Sequence, residues 1–232
     1  MDKKLIKPLL IAGAAVIILV AIILIIVFAG KKNPPQQNPD DTYTAIGYIH
    51  LTFDSEIRIG YNSQGHVVSM LATNDSAAVI VTDYTDFQSK SCGAVISDLV
   101  GIIFEKSQPA YKAIVIAQEF GSATPTDSFM ADIRQNVQQA APEYQVITIG
   151  VDALDAEGYL KFEDADAILR AALSLPADLH FPSAEVHRSE LYDFTVPIDG
   201  KDVEYRVDAK TGAVHTAAEL GLDFGAAASG DI

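Results

Sequence analysis

Residues 95–117 read VISDLVGIIFEKSQPAYKAIVIA, and the change of period inside this stretch decides the fold. Val95, Leu99, Ile102 and Ile103 recur at four- and three-residue spacing, with Ser97 and Asp98 off the stripe, so the first half predicts a helix with one apolar face. Ala113 to Ala117 is a short, mostly β-branched run and predicts a strand. Thr126 or Asp127 can cap a second helix that runs through Ala140 and is stopped by Pro142. Tyr144 to Ile149 predicts another strand. Strand and helix therefore alternate from about 91 to 150, the pattern of a sheet with helices packed on it.

Downstream, Glu163 or Asp164 opens a helix with Ala165, Ile168, Leu169, Ala172 and Leu173 on one face, and Pro176 closes it. Three short strands follow, at Ala184 to Arg188, Tyr192 to Ile198 and Val203 to Val207. Asp199-Gly200 is a hairpin turn signal, because both residues tolerate positive φ. Lys210-Thr211-Gly212 makes a further turn before Val214. Helix followed by antiparallel meander is a compact α+β unit. Upstream, Ile57 and Ile59 point one way while Glu56, Arg58 and Gly60 point the other, as in a half-buried strand. Asn62-Ser63-Gln64-Gly65 supplies turn chemistry, and His66 to Leu71 resumes as the second strand of a hairpin. Ala77 to Val81 is apolar enough to predict a third, more buried strand.

Ahead of all this lies Pro8 to Gly30, which holds no charged side chain. A helix of that length spans about 34 Å, against a hydrocarbon core of about 30 Å. Leu, Ile, Val and Ala satisfy their own backbone hydrogen bonds in lipid by forming such a helix. Lys3, Lys4, Lys7 and the α-amino group on one side outnumber Lys31 and Lys32 on the other, which favours a cytoplasmic N-terminus. A cleaved signal peptide has a shorter apolar core, of about 7–15 residues, so a retained anchor is the expectation. Residues 31–41, KKNPPQQNPDD, form a polar, Pro-rich spacer, and the Gly/Ala/Ser-rich stretch from Gly221 to Ile232 is expected to fray.

Residues 1–32 carry five lysines and one aspartate, net +4, so the rest of the chain carries −19 against −15 for the whole. A region this acidic repels phosphate backbones, which argues against nucleic-acid binding. Cys92 is the only cysteine; an intrachain disulfide is impossible, and a small buried or half-buried side chain is expected. Asp155-Ala156-Glu157-Gly158-Tyr159-Leu160, followed by Asp164, looks like the later half of a calcium loop. Yet its first position is Ala153 and its twelfth is Asp, so an acidic turn before a helix is the expectation. His50, His66, His180, His187 and His215 are scattered, with neither zinc spacing nor an i, i+4 pair. Gly-x-Ser-x-Gly and the glycine-rich phosphate loops are missing. No catalytic, cofactor-binding or metal-binding residue is assigned, no cofactor is expected, and the chain is not expected to be an enzyme.

Two stretches resemble known families. Residues 158–216 resemble a PepSY domain, through the helix start Phe162-Glu163-Asp164-Ala165, the Ala/Leu helix, and the closing Tyr205-x-Val207-Asp208-Ala209-x-Thr211-Gly212-x-Val214. Residues 43–157 resemble the extracytoplasmic middle domain of membrane-bound anti-sigma factors of the RsgI type. The carriers are Ile57-Arg58-Ile59-x-x-Asn62, Gly65-His66-Val67-Val68-Ser69 and Asn74-Asp75, followed by the apolar helix and the Ala113–Ala117 strand. Members of that family commonly carry an Asn-Pro pair before the first strand, associated with backbone self-cleavage. Asp54-Ser55 stands there in this chain, so cleavage does not carry over. Sigma-factor binding does not carry over either, because only Met1 to Lys7 precede the apolar segment.

The expected organisation is a short cytoplasmic tail at 1–7, a transmembrane helix at 8–30, a linker at 31–42, an RsgI-like middle domain at 43–157, a PepSY-like domain at 158–216 and a flexible tail at 217–232. The fold class is α+β (mixed α/β). The resemblances imply a single-pass cell-membrane protein whose extracytoplasmic region senses, binds or regulates through a protein or peptide partner, with no nucleic acid. The alternatives are an envelope peptidase inhibitor or hydrolase-associated protein, and a structural envelope protein.

Overall fold

The computed structural model describes residues 42–107, 109–187 and 190–220. Among them no helix is long and apolar enough to cross a membrane, and the predicted Pro8–Gly30 span lies outside them. The described region forms one compact unit of mixed α/β structure built on two sheets.

The first sheet holds β1 (Gly47–Phe53), β2 (Ser55–Tyr61), β3 (Val67–Ala72), β4 (Ala113–Gln118) and β5 (Gln145–Ile149), in the order β3-β2-β1-β4-β5. All neighbours are antiparallel except β4 and β5, which run parallel because helix α3 (Phe129–Ala140) carries the chain between them. The hairpin of β2 and β3 is as predicted, and Asn62 shapes its loop. Its Oδ1 accepts from the N–H groups of Gln64 and His66, both at 3.0 Å. Strand β1 is an addition to the sequence reading. Its partner β2 follows after the single residue Asp54, whose φ of 59° closes the turn.

The predicted third strand at Ala77–Val81 is instead part of helix α1 (Asp75–Asp83). Asn74 decides this: its Oδ1 accepts from Ala77 N at 3.0 Å, capping the helix, and from Glu56 N at 3.2 Å, tying the cap to β2. Ala77 and Ile80 then face the core at helical spacing while Val79 is exposed. A five-residue apolar run is too short to separate helix from strand by period alone. Helix α2 (Cys92–Lys106) forms as expected, capped by Ser91, and buries Val95, Ile96, Leu99, Val100 and Ile103. Each such side chain contributes about 1.5–3 kcal/mol. Helix α3 starts two residues later than a Thr126 cap and one later than an Asp127 cap would place it, with Ser128 at its entry bonding Asp132.

Helices α2 and α3 cover one face of the first sheet, packing on Ile49, Leu51, Ile57, Ile59, Ile114 and Ile116. On the other face, Val115, Ala117 and Ile149 pack against Ala165, Ile168 and Leu169 of helix α4 (Phe162–Leu173) and against the second sheet. That sheet is an antiparallel meander of β6 (Ser183–His187), β7 (Leu191–Ile198), β8 (Lys201–Asp208) and β9 (Val214–Thr216). Asp199 and Gly200 take φ of 52° and 75°, as their hairpin role requires.

Candidate functional site

Where the two sheets meet, a cleft of about 390 Å³ opens between the β1–β2 hairpin, the start of β4, the end of α4 and the last strand of the meander. Its floor is apolar, built from Phe53, Ala113, Val115 and Ala172, all buried. Its rim is acidic: Asp54, Glu56 and Glu219 line it, and no lysine or arginine is among its described lining residues.

Sheet register sets the polar groups. Glu56 pairs with Thr52 across the hairpin and projects from the face opposite the Ile57–Ile59 stripe. Its Oε1 accepts from Asn74 Nδ2 at 3.4 Å and lies 3.5 Å from His215 Nε2, which reaches across from β9. Glu219 Oε2 accepts from Thr216 N at 2.6 Å and from Tyr111 Oη at 3.2 Å. Burial, followed by the neighbouring Glu219 carboxylate, pushes the Tyr111 phenol above its ordinary range and keeps it a donor. Gly212 sets the approach of the meander to β4. Its φ is 72°, and a Cβ there would lie 2.9 Å from Val115 Cγ1 and 3.1 Å from Ile168 Cδ1.

A second polar cluster lies on the same face of the first sheet, further from the hairpin. Arg58 donates twice to Glu119, from Nε at 2.6 Å and from a terminal nitrogen at 3.1 Å, and its guanidinium lies 3.4 Å from the centre of the Tyr48 ring. His50 Nε2 is 3.1 Å from the same carboxylate. The Arg58 hydrogen bonds, against an opposing effect of burial, hold the Glu119 carboxyl below its usual range. This is a locked, charge-balanced surface network.

The residues that carried other chemistry in the sequence reading are placed as follows. Asp155 Oδ1 accepts from Glu157 N at 3.0 Å and Tyr159 N at 2.8 Å, so it closes its own turn before α4. Cys92 is fully buried, and burial pushes its thiol up to about 12, which leaves it neutral and unreactive. His50 and His215 lie in the clusters above; His66 sits beside Ser91 through an isolated bridge, His180 is exposed, and His187 belongs to β6. Among the described residues no group of three or more His, Cys, Asp or Glu side chains is placed to hold a metal ion. Sequence reasoning missed the cleft itself, because its parts come from five separate stretches that meet only when α4 and the meander pack on the first sheet.

Fold and cleft thus define a mixed α/β domain with an acidic recess at the seam of two sheets. The family model of the anti-sigma factor RsgI-like central domain matches residues 46–166, and the chain belongs to that family. The matched stretch opens just before β1 and ends inside α4. The family is regulatory rather than catalytic, which makes the chain's role anti-sigma-factor-related. No curated protein matches the chain.

Proposed function

We propose that this chain is a single-pass membrane protein whose acidic region lies outside the cell and regulates through a protein or peptide partner. The observation that carries the reading is the family match at 46–166 standing behind an uncharged apolar run at 8–30. On this reading residues 1–7 are cytoplasmic, 8–30 span the bilayer, and 31–42 are the linker. Residues 43–157 form the RsgI-like domain, 158–216 a PepSY domain and 217–232 the tail. Support for PepSY comes from the order of α4 followed by the four-stranded meander, and from the Thr211-Gly212 turn that seats it on β4. The cleft at the seam of the two parts is the place for a partner to bind.

Protease treatment of intact cells, with an epitope on the C-terminus, tests the topology. Digestion before lysis is expected; digestion only after lysis overturns the orientation.

A further inference from the structure

The cleft has three properties that together select an occupant. Its floor is apolar, its rim carries Asp54, Glu56 and Glu219 with no lysine or arginine among the described lining residues and His215 beside Glu56 alone, and one border is a sheet edge. The edge is β9. Asp208 N donates to Ala213 O and Ala217 N to Glu204 O, so by the alternation of an antiparallel ladder the Ala213 carbonyl, His215 and the Ala217 N–H face β8, while the Ala213 N–H goes to Thr211 Oγ1 at 3.3 Å. Val214 and Thr216 turn theirs outward. Glu219 takes the Thr216 N–H, and Val214, which lines the cleft, turns its N–H and C=O toward an edge that no strand among the described residues pairs. A small free amine would satisfy the carboxylates but not the strand edge or the apolar floor.

We infer that the cleft docks an extended segment of a partner protein as an added strand beside β9, with a lysine or arginine of that segment set among Asp54, Glu56 and Glu219. Main-chain pairing with Val214 supplies affinity, alternate apolar side chains lie on Ala113 and Val115, and the carboxylates select the charge. This rests on the reading that the chain acts through protein or peptide contact, and it supplies the chemistry of that contact.

The test uses the full chain in lipid nanodiscs and short fluorescent peptides of alternating Thr and Val, with lysine, glutamine or glutamate at the centre. The lysine peptide is expected to bind about tenfold more tightly than its glutamine twin, with the glutamate peptide weaker again. That preference should shrink as salt rises and in the Asp54→Asn, Glu219→Gln double variant. N-methylating the peptide backbone at alternate positions should abolish binding in one register and spare it in the other. Equal affinity of the three peptides, or no binding of the lysine peptide, overturns the inference. So does competition by free lysine amide at the peptide's own concentration. Because the discriminating changes lie in the peptide, a variant that fails to fold does not remove the test. Binding in nanodiscs is independent of orientation, so a failure here and a failure of the proposed topology are read separately.

Discussion

Gly212 is asked for two things at once by its surroundings. Its backbone sits at φ 72°, and the space beside its Cα is already taken by Val115 Cγ1 and Ile168 Cδ1. A left-handed conformation costs a residue with Cβ about 1–2 kcal/mol, and overpacking adds about 1–3 kcal/mol. Gly212→Ala should therefore lose roughly 2–5 kcal/mol in urea unfolding, with the meander loosening first. Cys92 makes a second prediction. Its folded value is pushed up to about 12 while an unfolded thiol titrates near about 8.5. Stability from this group is complete below the unfolded value and declines as pH rises toward the folded one. Iodoacetamide at mildly alkaline pH should leave the native chain unmodified and label it fully in denaturant, as mass spectrometry would read. Glu119 has the opposite sign. Arg58 depresses its folded value, so its contribution is present above the unfolded carboxylate range and is lost as pH falls through the folded one. Glu119→Gln should flatten the acid limb of a stability–pH curve below about pH 4.

At the scale of elements, helix α1 exists because one side chain works in two directions. Asn74 caps Ala77 and holds Glu56 of β2 at the same oxygen, so Asn74→Ala removes the cap and the tie together. A cost of about 1–2 kcal/mol is expected, with hydrogen exchange accelerated in Asp75–Asp83 and unchanged in α2. The same residue marks the limit of what the sequence shows. Helices α2 and α4 are legible because their apolar faces run long enough to display a 3.6-residue period, and the Asp199-Gly200 hairpin because its chemistry is local. The run Ala77–Val81 is too short for either period, and only a cap made across the fold settles it. Strand β1 alternates Ile49, Leu51 and Phe53 with Tyr48, His50 and Thr52, yet its turn is a single Asp at positive φ, which no dipeptide signal announces. The cleft was illegible for a stronger reason. Glu56 and His215 are neighbours only after the first sheet has formed and the meander has been seated on it.

For the described region as a whole, the deciding fact is that the two sheets share a core. Val115, Ala117 and Ile149 belong to the first sheet, but their side chains are covered by α4 and the meander. The 46–166 match ends partway along α4, so the matched stretch by itself leaves that face only partly closed. Burial of these three side chains stabilises the fold by on the order of 5 kcal/mol. The net stability of a domain is only about 5–15 kcal/mol, so that share is not dispensable. A chain ended after Glu157 should consequently bind a hydrophobic dye, lose cooperative thermal unfolding and aggregate at concentrations where the full chain does not. Adding the 158–220 segment in trans should suppress the dye signal if the shared core is what was lost. A truncated chain that melts cooperatively at the full chain's temperature would show that the first sheet closes its own core, and the meander would then be a separate domain merely resting on it.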